Sequence, residues 1–91
     1  MRRRYRSHVG ILLDILRTIS EEEATVTKII MNANLPYERL KPFLQKLLNE
    51  GYIEEVVESE RKYYRITEQG LRLLNELKII KRVFEKLGLP L

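Results

Sequence analysis

The 91-residue chain contains no cysteine and one histidine, His8. Disulfides, thiolate nucleophiles and cysteine metal ligands are therefore excluded, and a lone imidazole has no second one with which to share a metal. No apolar run approaches the ~18–20 residues that span a bilayer, and the N-terminus lacks the apolar segment of a secretory signal. The chain is accordingly placed in the cytoplasm. No pair of catalytic groups, metal cluster or glycine-rich phosphate loop is visible, and Asp14 with His8 in one helix does not make a catalytic site. An enzyme is rejected, and neither metal nor cofactor is expected. What remains is one domain long enough to bury a core, since staples become necessary only below roughly 70–80 residues.

Charge of one sign is scarce except in one place. Lys and Arg number 17 against 13 Asp and Glu, and the whole surplus of +4 sits in Arg2, Arg3, Arg4 and Arg6. A basic arm over residues 1–6 on a neutral body suits phosphate; a solubilising terminus is the plain alternative. Charged residues make up 33% of the chain, a richness also seen in proteins from hot environments.

The densest pattern lies between Thr25 and Gly51. Val26, Ile29 and Ile30 mark a helix that closes near the small Ala33, with Thr25 or Thr27 as its cap. Asn34, Leu35 and Pro36 make a short connection in which Leu35 turns inward and Pro36 presets φ for the next helix. Leu40, Phe43, Leu44, Leu47 and Leu48 then recur on one helical face, which Gly51 ends. This is a helix-turn-helix. Pro42 sits well inside the second helix, so that helix must kink there or begin later than Tyr37.

The flanks fill in around it. Ser7 caps a first helix to about Ile19, with Val9, Leu12, Ile15, Leu16 and Ile19 on one side and Asp14 and Arg17 solvated. Ala24 to Val26 allows a short extended piece. After Gly51, residues 52–57 and 62–66 have strand composition, and Glu58, Ser59, Glu60 and Arg61 form the turn between them. Alternation turns Tyr64 and Ile66 inward and Tyr63 and Arg65 outward. A helix-turn-helix followed by a β-hairpin is a winged helix, with Arg61 and Lys62 at the wing tip. The wing's first strand is acidic, through Glu54, Glu55, Glu58 and Glu60, which opposes phosphate contact.

Thr67 caps a last helix from Glu68 to about Leu87, stopped by Gly88 and Pro90. Leu73, Leu77, Ile80, Phe84 and Leu87 follow one another at alternating steps of four and three, the seam of a coiled coil. Ile79 and Val83 widen it; Lys78, Arg82, Glu85 and Lys86 hold the other side. Part of the stripe docks on the first helix, and the part from Leu77 onward projects, so a homodimer is expected, against a helix that folds back to complete a monomer. The architecture is mainly α with a small β-hairpin: a basic arm (1–6), a winged helix-turn-helix domain (7–67) and a long coiled-coil-like dimerisation helix (68–91).

Three segments resemble the small archaeal winged-helix DNA-binding proteins: Ala33-Asn34-Leu35-Pro36-Tyr37-Glu38-Arg39-Leu40-Lys41, Leu47-Leu48-Asn49-Glu50-Gly51-Tyr52-Ile53, and Tyr64-Arg65-Ile66-Thr67-Glu68-Gln69-Gly70. The resemblance implies a DNA-binding dimer joined by its C-terminal helix, acting as a transcriptional regulator or as a chromatin-like architectural protein. A winged helix used for protein contact is the reading from outside that class.

On the second helix of the motif, the side away from the leucines is centred on Glu38, Pro42, Gln45 and Asn49. Arg39 and Gln45 are the candidates for base edges, because a guanidinium can bridge guanine O6 and N7 and a glutamine amide can bridge adenine N6 and N7. Lys41, Lys46, Arg61 and Lys62 are cast as phosphate contacts. Tyr37, leaning toward the core, reaches a phosphate with its hydroxyl, and the arginine arm follows the backbone or enters a minor groove.

Overall fold

Three side-chain caps start three of the four helices. In the computed structural model, which describes residues 7–91, α1 spans His8–Glu21, α2 Val26–Ala33, α3 Tyr37–Asn49 and α4 Glu68–Lys86; β1 (Ile53–Glu58) and β2 (Arg61–Ile66) lie between α3 and α4. The hydroxyls of Ser7, Thr25 and Thr67 accept from the backbone N–H of Gly10, Lys28 and Gly70, each satisfying a donor that the helix leaves unpaired. Both α3 and α4 end in paired C-terminal bonds around a left-handed glycine. Tyr52 N–H donates to Leu47 C=O and Gly51 to Leu48; Leu89 donates to Phe84 and Gly88 to Glu85. Only glycine takes that backbone conformation without strain.

The helix-turn-helix stands where the apolar pattern puts it. Asn34 is left-handed at φ 56° and Leu35 is buried, so the turn reverses the chain and pins it with one side chain. α3 starts at Tyr37 and continues through Pro42, which removes the alternative of a later start. The proline ring leaves the Glu38 carbonyl without its usual donor. Leu40, Leu44 and Leu47 are buried and Phe43 and Leu48 half-buried, which is the leucine side read from the periodicity.

α1 is more central than its stripe suggests. Ile11 and Leu13, outside the stripe, are as buried as Ile15, Leu16 and Ile19, while Val9 and Leu12 are half-buried. The reason is tertiary: α2, α4 and β2 all pack on α1, so it is covered over most of its girth.

The hairpin is tighter than the sequence suggests. Glu58 pairs with Arg61, leaving a two-residue turn of Ser59 and Glu60, both at positive φ (50° and 65°). Two such residues match the twist of the strands but normally call for Asn or Gly, so Ser-Glu gives no signal. Tyr64 faces the core, and Ala24 exchanges two backbone hydrogen bonds with it (3.1 and 2.8 Å), making the short extended piece a third rung beside β2.

One joint fixes the direction of α4. Thr67 Oγ1 donates to the Gly51 carbonyl at 2.6 Å while accepting from Gly70 N–H, and Thr67 N–H donates to the Tyr52 carbonyl at 3.1 Å. Gly70, Leu74 and Leu77 are buried, so the first half of α4 belongs to the domain's core. Leu77 was expected to project and does not. Ile79, Ile80, Val83 and Leu87 beyond it are 43–65% exposed. The helix carries the molecule to 46 × 35 × 21 Å. Among the described residues no helix is long and apolar enough to cross a membrane.

Candidate nucleic-acid interface

The outward side of α3 is open. Glu38, Arg39, Lys41, Pro42, Gln45, Lys46 and Asn49 are all exposed, with no described part of the chain over them. Their arrangement follows from burying Leu40, Leu44 and Leu47: at ~100° per residue, whatever lies opposite a leucine stripe must face away. Arg39, Lys41 and Lys46 form no ion pair among the described residues, so their charge is available to an external anion.

The two flanks of α3 differ. On one, Arg39, Pro42 and Lys46 form the rim of a groove of about 500 Å³ whose floor includes Leu12, Phe43 and Leu73. His8 also lines it, its ring edge-on to Phe43 with centroids 5.6 Å apart. On the other flank stand Tyr37 and Lys41. Tyr37 is 47% exposed and does not lean into the core; its phenol lies near enough to Lys62 and Tyr64 to influence both electrostatically. The start of α3 is therefore seated beside the wing, because Pro36 as N-cap leaves Tyr37 on the first turn, outside the leucine stripe.

The wing neutralises itself. Glu54 and Glu23 hold Arg65 at 3.3 and 2.9 Å, and Glu55 holds Lys62 at 3.5 Å. Cross-strand register explains the pairs, since Glu54 sits opposite Arg65 and Glu55 is diagonal to Lys62. Glu54 and Glu55 thus engage two of the three cations of the neighbouring strand. Arg61, next to the turn, forms no ion pair among the described residues. Arg2, Arg3, Arg4 and Arg6 lie outside the described residues.

Two alkaline titrations sit here. Burial pushes the Tyr64 phenol above its ordinary value of 10.0. Lys62 is also raised, first by the Tyr64 phenolate and then by Glu55. Folding favours the protonated form of both, so their contribution is complete below the unfolded values and is lost as pH rises through the raised values of the folded state. We expect the unfolding temperature to fall above about pH 10, and Tyr64→Phe to fall less steeply; an equally steep fall in the variant would place the titration elsewhere.

The seam residues divide in the same way as the helix. Leu77 is in the core, Leu73 and Phe84 are half-buried, and Ile80 and Leu87 are exposed. Leu74, absent from the seam, is buried. Ile79 and Val83 join Ile80 and Leu87 in the uncovered stripe.

Comparison with known proteins agrees with this architecture. The winged helix-turn-helix family profile matches residues 5–85. The uncharacterised protein MJ0287 of Methanocaldococcus jannaschii is 30% identical over 76 residues, covering 82% of this chain and 74% of that protein. The crystal structure of Sso10a-2, a DNA-binding protein from Sulfolobus solfataricus, superposes with a TM-score of 0.85 at 30% identity, covering 91% of this chain and 86% of that one. The transcriptional regulator BldR from Sulfolobus solfataricus matches with a TM-score of 0.75 at 22% identity over 86% of this chain and 60% of its own, a likeness of fold alone.

Proposed function

Because this chain belongs to the winged helix-turn-helix family, we propose that it binds double-stranded DNA as a homodimer and acts as a transcriptional regulator. The observation that carries this is the coincidence of unpaired Arg39, Lys41 and Lys46 with Gln45 on one uncovered side of α3. In a winged helix this helix lies in the major groove. Arg39 and Gln45 then meet base edges, while Lys41, Lys46 and Arg61 meet phosphates. Lys62 is a weaker contact because Glu55 holds it, and Tyr37, beside the wing, reaches a phosphate from the first turn. The arm residues Arg2, Arg3, Arg4 and Arg6 add phosphate contacts.

The homodimer is supported by the second half of α4. Ile79, Ile80, Val83 and Leu87 form an uncovered apolar stripe, a liability for a single copy in water and a seam for two. Two copies joined there hold two α3 helices at a fixed separation, which selects DNA with matching half-sites.

Duplex affinity is expected to fall steeply with salt, with a log–log slope of about −0.9 for each phosphate neutralised. A flat salt dependence rejects DNA binding, and recovery of a protein partner with no duplex shift at low salt favours a protein-contact module instead. Arg39→Ala separates regulator from architectural protein. A loss of about 1–3 kcal/mol confined to one sequence indicates base readout, and uniform weakening over all sequences indicates phosphate contact alone.

A further inference from the structure

Arg17 on α1 and Lys78, Lys81 and Arg82 on α4 line one shallow groove of about 340 Å³, with Glu85 the only carboxylate among its lining residues. Glu85 is engaged by Lys81 at 3.8 Å; Arg17, Lys78 and Arg82 form no ion pair among the described residues. An ordinary solvated helix face intersperses both signs, as the wing of this molecule does, because clustered like charges repel. This groove gathers cations instead.

Its position sets it apart from α3. On α1, His8 and Leu12 line the groove beside α3, and Arg17 lies roughly opposite them at ~100° per residue. The two basic surfaces therefore face apart. A neighbouring hollow shares Arg17 and Lys81 and is lined also by Ser7, Asp14 and Leu91. On α4, Lys78 and Arg82 occupy the outer positions of the heptad whose seam holds Ile80, which leaves them uncovered when two helices pair.

We propose that the α1–α4 face is a second binding surface for the phosphate backbone of duplex DNA, able to hold a second duplex segment while α3 holds the first. The inference rests on the DNA-binding reading above, and it supplies a reason for a cationic groove remote from the recognition helix. Contacts here are to phosphate only: the groove is shallow and offers guanidinium and ammonium groups without the projecting helix that base readout needs.

The test uses four full-length proteins: a parent, an α3 variant (Arg39→Gln, Lys41→Gln, Lys46→Gln), a face variant (Arg17→Gln, Lys78→Gln, Arg82→Gln) and their combination. All the substituted positions are exposed or half-exposed, so folding is retained and is checked by circular dichroism. Anisotropy with a mixed-sequence 30-bp duplex reads the first binding event, and capture of a labelled duplex by protein on a bead-bound one reads the second; all four proteins also carry Ile80→Glu and Phe84→Glu, so that the α3 of a second copy cannot supply the capture. The face variant should keep its first-duplex affinity within about threefold, since separated sites act independently, and lose capture at least about tenfold, with up to about 0.9 of salt slope removed per cation. The α3 variant should retain weak salt-dependent binding that disappears in the combination. Undiminished capture by the face variant overturns the second surface, as does a loss of first-duplex affinity equal to that of the α3 variant, which would mean both surfaces grip one duplex. An α3 variant that binds like the parent rejects the recognition-helix assignment instead, whatever the face variant does.

Discussion

Replacing Gly70 with alanine is expected to destabilise the fold by about 3 kcal/mol, at the upper end of overpacking substitutions. The position is helical, so intrinsic propensity favours alanine by roughly 1 kcal/mol. Packing reverses that. A Cβ at Gly70 would lie 2.1 Å from the Tyr52 carbonyl oxygen and 2.6 Å from Ile66 Cγ1. The first contact is with backbone, which cannot rotate aside, and the same carbonyl accepts the Thr67 N–H. Relief requires α4 to slide off the strand edge, breaking the bonds that Thr67 makes to Gly51 and Tyr52. Gly10→Ala is the control, because its Cβ would meet only Ser7 Oγ at 3.4 Å; there the propensity gain survives, and the variant should be as stable as wild type or up to about 1 kcal/mol more stable. Urea midpoints compare the two. A Gly70→Ala protein as stable as wild type would mean that α4 does not seat this closely on the hairpin, and the direction of the dimer seam would have to be redrawn.

Ile80→Glu with Phe84→Glu is expected to turn a dimer into a monomer in sedimentation. Burying a carboxylate in an apolar seam without a partner costs several kcal/mol, so association should weaken by at least about a thousandfold, equivalent to ~4 kcal/mol. The monomer should remain folded, because Ile80 is 43% exposed and Phe84 half-buried in the single chain. Leu77→Glu makes the contrast: at 8% exposed it lies in the domain's own core, and its substitution should lower the unfolding midpoint as well. Affinity for paired half-sites should drop in the double variant, since the second recognition helix is no longer tethered. A mass unchanged by Ile80→Glu with Phe84→Glu would rule out α4 as the joint.

Much of the fold was legible because its signals are local. Ser7, Thr25 and Thr67 cap helices through a hydroxyl that reaches a donor three residues on, and Leu40, Leu44 and Leu47 declare a face through spacing alone. The outward side of α3 follows from that face, so the exposure of Arg39, Lys41, Gln45 and Lys46 is legible from the spacing alone. Tyr37 was misjudged because its place depends on the wing, some 25 residues further along the chain. The self-pairing of the wing was equally hidden, since it needs the register that sets Glu54 against Arg65. Ser59 and Glu60 hid the tight turn because neither is the glycine or asparagine that such a backbone prefers.

By itself the sequence determined the kinds and order of the elements, the buried side of α3 and the ends of the helices, because hydrogen-bond caps and apolar periodicity act within three or four residues. Only the tertiary structure decided that Leu74 and Leu77 belong to the core while Ile80 and Leu87 stand free, that Gly70 must be bare where α4 meets Tyr52, and that Arg17 joins Lys78, Lys81 and Arg82. Those facts depend on which elements meet, and at what depth. Contacts between residues far apart in the chain are set by the summed burial of the whole core and leave no mark on any short stretch of it.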